Sequence, residues 1–197
     1  AARRIPRRAC VVSRDDALGT LTPPVSDTDH AEGPAGAPVT LVEYGDYECP
    51  HCGAAFPVTK ALQREMGREL RFVFRNFPLR EAHPHAQHAA IAAEAVGAHG
   101  DAKFWAMHDA LFENQDALDD AELVARAKAL GVPAAEIVAA FEGGPSADRV
   151  RADFRNGVRS GVNGTPTFFV NGVRYDGDWR DVRSFVTALR EAARARA

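Results

Sequence analysis

The sequence predicts an α/β fold, a mixed sheet flanked by helices in the order β-α-β, a block of helices, then β-β-α. Three observations carry that expectation. A β-branched and aromatic run, Val39-Thr40-Leu41-Val42-Glu43-Tyr44, leads through Cys49-Pro50-His51-Cys52 into a helical stretch. A long helical block then occupies about residues 83–159. After it, strand character returns around Asn171-Gly172, the strongest short-range hairpin signal.

Taken in order, residues 1–37 lack sustained periodicity and carry Pro23-Pro24 and Gly33-Pro34, so they read as a flexible tail and linker. Arg3, Arg4, Arg7 and Arg8 give that tail a basic start, read as solvated. The folded unit is expected over residues 38–197. Its first helix spans about 50–66, because Pro50 suits a first helical turn and Gly67 a helix end. Pro57 lies inside it and predicts a kink. Leu70–Arg75 alternates apolar and polar residues as a second strand. Helices are expected at 84–98, 101–113, 119–130, 133–142 and 145–159, punctuated by Gly100, Asp119, Gly131-Pro133 and Gly143-Gly144-Pro145. Phe104, His108, Leu111 and Phe112 share one helical face, as do Val150, Phe154 and Val158. Thr165–Val170 and Val173–Tyr175 form the last two strands, and an amphipathic helix over 179–195 buries Val182, Phe185, Val186 and Leu189.

At 197 residues and 46% hydrophobic, the chain is sized for one domain with an inserted subdomain. A net charge of −3 gives no reason to expect a nucleic-acid partner. No apolar run approaches the roughly 20 residues that span a bilayer, so no membrane insertion is expected. Nor does an apolar segment of about 7–15 residues follow the basic start, as a secretory signal requires. The sequence as given opens on Ala, which leaves two locations open: cytoplasmic as written, or extracytoplasmic if a leader was removed. Three cysteines are too few for a disulfide scaffold, and Cys10, outside the motif, reads as incidental. Lacking an obvious dimerisation segment, the chain is expected to be a monomer.

Placed where a strand turns into a helix, Cys49 meets free backbone N–H groups and the positive end of the helix dipole. Both favour thiolate. Two thiols separated by two residues on one helical turn can also close a small disulfide, so the residues themselves propose dithiol–disulfide chemistry. His51 adds a cation or hydrogen-bond donor beside Cys49. Glu43, a carboxylate inside an apolar strand six residues before Cys49, is expected to be buried with a raised pKa. A structural disulfide or half of a metal site is the blander reading of the pair. His83, His85 and His88 read as an exposed, histidine-rich helix start, and neither metal nor organic cofactor is assigned.

Glu43, Cys49-Pro50-His51-Cys52 and Gly161-Val162-Asn163-Gly164-Thr165-Pro166-Thr167 together resemble the DsbA-like thiol:disulfide oxidoreductases. The runs Phe72–Pro78 and Phe104–Asp109 are similar to compact members of that family. The resemblance implies a thioredoxin-like fold with a helical insertion between its second and third strands. It also implies that Cys49 is the exposed nucleophile and Cys52 the resolving thiol. Glu43 would serve as proton acceptor for Cys52, and Thr165 beside a cis Pro166 would bind an extended substrate. The implied activity is disulfide exchange with protein or peptide thiols, as a disulfide donor, regenerated by a redox partner. The alternatives are a thioredoxin-like reductase or isomerase, and a redox-sensing binding module without turnover.

Overall fold

The computed structural model describes residues 19–195. Strand β2 (Val39–Gly45) is central, and nearly every residue in it is buried because both sheet faces are covered. Its alternation sorts Leu41 and Glu43 to one face and Val42 and Tyr44 to the other. Strand β3 (Leu70–Asn76) lies parallel to it on one side; β4 (Thr167–Val170) lies antiparallel on the other. Strands β1 (His30–Glu32) and β5 (Val173–Tyr175) form the edges, giving the order β1-β3-β2-β4-β5 among the described residues. The β4–β5 turn uses Asn171 at φ 51° and Gly172 at φ 85°, positive angles that asparagine and glycine tolerate best.

Helix α1 (Pro50–Met66) joins β2 to β3 and runs unbroken through Pro57. Between β3 and β4 lies the expected insertion: α2 (Ala86–Gly97), α3 (Asp101–Glu113), α4 (Asp120–Ala129), α5 (Ala134–Glu142) and α6 (Pro145–Arg159). Seven of the twelve α2 residues are alanine or glycine, and its run from Ala89 to Val96 is buried throughout. Such small side chains let α3, α4, α5 and α6 all pack around it. Helix α7 (Val182–Arg194) closes the fold, burying Phe185, Val186 and Leu189.

Two expectations need correction. The linker expectation fails for residues 19–37: Leu21 is buried, Thr20 bridges to Val173, and β1 pairs with β3. Arg75 explains how so polar a segment is held. Its guanidinium donates to both carboxylate oxygens of Asp29 (2.8 and 3.0 Å), to the Pro23 and Pro24 carbonyls and to the Tyr44 hydroxyl. Short, proline-rich and held by a buried ion pair, this segment has no hydrophobic period to read. Cys10 lies outside the described residues. On α6, Val150 is buried, but Phe154 and Val158 are 37% and 56% exposed, so the shared apolar face is only partly used. Phe154 instead stacks on Phe77 across the end of β3.

Candidate dithiol site

The sheet ends the β2 strand beside the start of α1, and residues 46–49 form the turn between them. Cys49 is the N-cap of α1 with extended backbone, and Pro50 occupies the first helical position. The helix-start N–H groups of His51 and Cys52 are therefore free to serve the Cys49 sulfur. Its pKa falls from 9.0 to about 5, chiefly through a hydrogen bond from Cys52, with Thr165 and these backbone groups adding to it against the cost of burial. His51 acts here through its backbone; its side chain is exposed.

Cys49 is 3% exposed, contrary to the expectation of an exposed nucleophile. The reason is the loop before β4. The Thr165–Pro166 peptide is cis, and the Thr165 carbonyl lies 3.6 Å from the Cys49 sulfur, accepting from the thiol. The buried Thr165 hydroxyl has no other partner among the described residues, which leaves it able to donate to a thiolate.

Cys52 is fully buried one turn into α1, and the two thiols are unlinked. Burial, the hydrogen bond to Cys49 and the nearby Glu43 push its pKa well above 9.0, while the Asp46 N–H (3.4 Å) works the other way. The pair is thus split into an acidic and a very basic thiol.

Glu43 is 2% exposed, and its Oε1 has no hydrogen-bond partner among the described residues. Sheet register explains its isolation: Phe74 of β3 and Phe168 of β4 sit directly opposite it on the same face. Desolvation, reinforced by Cys49, raises its pKa from 4.5 to about 8.

Sequence reasoning missed how the insertion holds the motif. Asp46 accepts from the Leu79 N–H and His83 Nδ1, each at 2.8 Å. Tyr47 pairs with His108 at 3.1 Å, and the Glu48 carboxylate accepts the His85 N–H at 2.6 Å. Gln115 donates to the Tyr47 and Cys49 carbonyls at 2.8 and 3.0 Å. A Cβ on Gly53 would stand 1.9 Å from the Gln115 side-chain oxygen, so glycine here lets that amide keep its place. Their partners lie 33 to 68 residues away, and no local pattern marks them. The three histidines of the 83–88 region do not converge: His83 meets Asp46, His88 meets Asp120 and stacks on Phe141. Among the described residues no group of three His, Cys, Asp or Glu is placed to hold a metal ion.

A mixed sheet presenting a split-acidity Cys-x-x-Cys pair beneath a cis-proline loop defines a protein of the thioredoxin superfamily. The family profile Thioredoxin_4, described as thioredoxin, matches residues 25–188, and the chain belongs to that family. Its architecture is similar to BdbD from Bacillus subtilis (TM-score 0.79, 24% identity, 91% of this chain and 100% of that one). It is similar, too, to the thiol-disulfide exchange protein alpha-DsbA2 from Wolbachia pipientis (TM-score 0.67, 23% identity, 82% and 87%). The thioredoxin-like fold of DsbA type, with its helical insertion, is therefore established. In sequence, the chain is 41% identical over 172 residues to a Na(+)/H(+) antiporter NhaA 1 from Salinispora arenicola, covering 87% of this chain and 26% of that protein. A Mycobacterium sp. (strain KMS) antiporter of the same name is 40% identical over 178 residues, covering 89% and 28%. The chain thus spans about a quarter of the length of these curated relatives. Among the described residues no helix is long and apolar enough to cross a membrane.

Proposed function

We propose that this chain is a thiol:disulfide oxidoreductase that donates its Cys49–Cys52 disulfide to protein or peptide thiols. The observation that carries the reading is the split acidity of two thiols on one helical turn. A stabilised Cys49 thiolate favours the dithiol form, so the disulfide is oxidising.

In the reaction, a substrate thiolate attacks the Cys49 sulfur and the Cys49–Cys52 bond breaks. Cys52 departs as a thiolate, a poor leaving group at its high pKa. Glu43, protonated at neutral pH, supplies the proton that Cys52 takes up. A second substrate thiolate then attacks the substrate sulfur of the mixed disulfide, expelling Cys49 as a thiolate. The substrate loses two electrons to a disulfide, and the enzyme is left as the dithiol. An extended substrate segment runs beside Thr165, whose backbone borders the Cys49 sulfur. Neither metal nor organic cofactor enters these steps. A separate redox partner must reoxidise the pair.

The test is the dithiol–disulfide equilibrium in defined glutathione buffers. A potential near about −120 to −180 mV is expected of a disulfide donor; a value near about −270 mV would make the chain a reductase. A second reading has its own support, the identity with part of the antiporters. There the chain would be a redox module whose disulfide state sets contact with a joined or neighbouring transporter. Excess reduced peptide with oxidised glutathione separates the two: a donor turns over, whereas a sensor module stops after one equivalent.

A further inference from the structure

Asp46 underlies both cysteines. Its N–H donates to the Cys52 sulfur and its carbonyl accepts the Cys49 N–H at 3.2 Å. Its carboxylate is buried at the same point, and one oxygen takes the Glu48 N–H at 2.8 Å. The other oxygen takes the Leu79 N–H and His83 Nδ1. Among the described residues His83 is the basic side chain paired with this carboxylate, a cation when protonated, and its side chain is 18% exposed against 0% for Asp46. A buried carboxylate left without its counter-ion is costly, and it opposes any second negative charge nearby. The Cys49 thiolate is such a charge.

We propose that His83 is a positioning residue of the dithiol site: held on Asp46, its imidazolium cancels the buried carboxylate and so permits the Cys49 thiolate. The inference rests on the reading of Cys49 as the reactive thiolate. The charged groups acting on His83 are Asp46, Glu48 and Cys49, all from the 46–49 turn, and together they raise its pKa against the lowering effect of burial. Arg80 and Glu81 on its own loop are exposed. The same contact fixes the 77–85 loop, since the Leu79 carbonyl accepts from the Ala82 and His83 N–H groups. His83 therefore serves geometry and charge together, and the test must separate them.

His83→Gln keeps a side-chain donor for Asp46 and removes the charge. In the reduced full chain, the Cys49 thiolate is followed by its ultraviolet absorbance against pH. His83→Gln is expected to raise the midpoint by about half a pH unit, a roughly threefold loss of thiolate at a given acid pH. Adding Asp46→Asn removes the carboxylate as well and should return the midpoint most of the way. A purely structural role would give no such rescue. In the wild-type chain, the rate of Cys49 alkylation by iodoacetamide should show a second inflection above the ordinary histidine value of about 6.5, lost in His83→Gln. Glu43 also titrates in this range, so the profile is repeated in Glu43→Gln, where the inflection should persist; that persistence assigns it to His83 even if His83→Gln fails to fold. A midpoint unchanged in His83→Gln, or a wild-type profile with one inflection, overturns the proposal while leaving the oxidoreductase reading intact. A wild-type Cys49 that titrates in the ordinary thiol range overturns both.

Discussion

Replacing Glu43 by glutamine removes one titration and leaves the side chain's size unchanged. In the folded chain the carboxyl keeps its proton up to about pH 8, whereas an ordinary glutamate releases it near 4.5. Between those values the folded state holds one proton more than the unfolded state, so stability falls as pH rises, by about 1.4 kcal/mol per unit. The contribution is whole below pH 4.5 and is lost as pH climbs through about 8. At pH 7 the accumulated cost is about 3 kcal/mol, and near pH 9 it levels off at about 5 kcal/mol. Cys49 runs the opposite way in the dithiol form, because its folded pKa of about 5 lies below 9.0 and its contribution is lost on acidification. The oxidised protein, which lacks that thiol, isolates the Glu43 slope; burial alone then raises the carboxyl, so the totals there fall below these dithiol figures. Urea denaturation of wild type and Glu43→Gln, both oxidised, from pH 5 to pH 8 is the assay. The amide carries its own burial penalty, about 1–3 kcal/mol, but this is independent of pH. The difference between the two proteins should therefore shift steadily in favour of the variant as pH rises. Parallel curves over that range would refute the reasoning, and Glu43 would not be a proton carrier.

Further outcomes follow from the same geometry. Cys52→Ser should trap mixed disulfides through Cys49 when mixed with oxidised peptide, seen by mass spectrometry; an absence of adducts removes Cys52 from the resolving role. Glu43→Gln should slow resolution, the attack of Cys52 on a Cys49 mixed disulfide, on the order of 10²-fold, the scale of a positioned acid or base, while attack of Cys49 on an oxidised peptide changes little. Arg75→Met breaks a buried pair that also holds two carbonyls, and should cost about 3–5 kcal/mol in urea denaturation. Limited proteolysis of that variant should cut within residues 19–29. Gln115→Ala removes two hydrogen bonds from the motif, worth about 1–2 kcal/mol together. Gly53→Ala should cost less in that background than in wild type, because the oxygen it would meet is gone.

Much of the fold was legible because its signals are local. The five insertion helices begin and end within a few residues of their sequence punctuation, at Asp119, Pro133 and Gly144-Pro145 for example. Asn171-Gly172 is the hairpin turn, and Cys49 with Pro50 opens α1. The 19–37 segment is not legible because three-residue strand β1 and a bidentate Arg75–Asp29 pair leave no periodic trace. Cys49's burial is hidden from the sequence for a related reason: position at a helix start fixes its electrostatics, but the loop at Thr165 arrives from 116 residues away. Glu43 could be read as buried from its apolar neighbours. That its Oε1 meets no donor depends on Phe74 and Phe168 in register, which is a property of the assembled sheet.

Two acids near the cysteines, three residues apart, show why the insertion belongs to the chemistry. Glu43 lies within the sheet between two phenylalanines, its Oε1 finds no donor among the described residues, and burial leaves it holding a proton. Asp46 lies just past the strand end, where the 77–85 loop and α1 approach, and it receives three donors. Beyond Asp46, Tyr47, Glu48 and Cys49 are each bonded in turn to a residue between 85 and 115. Four successive residues of the reactive turn are thus fixed by the insertion's loops and helices. A sheet and α1 alone would still place Cys49 at a helix N-terminus, but nothing would hold the turn that aims its neighbours' N–H groups. Disturbing the insertion near His83 or Gln115 should therefore alter thiol acidity without touching either sulfur, whereas changes at Val138, exposed on α5, should not.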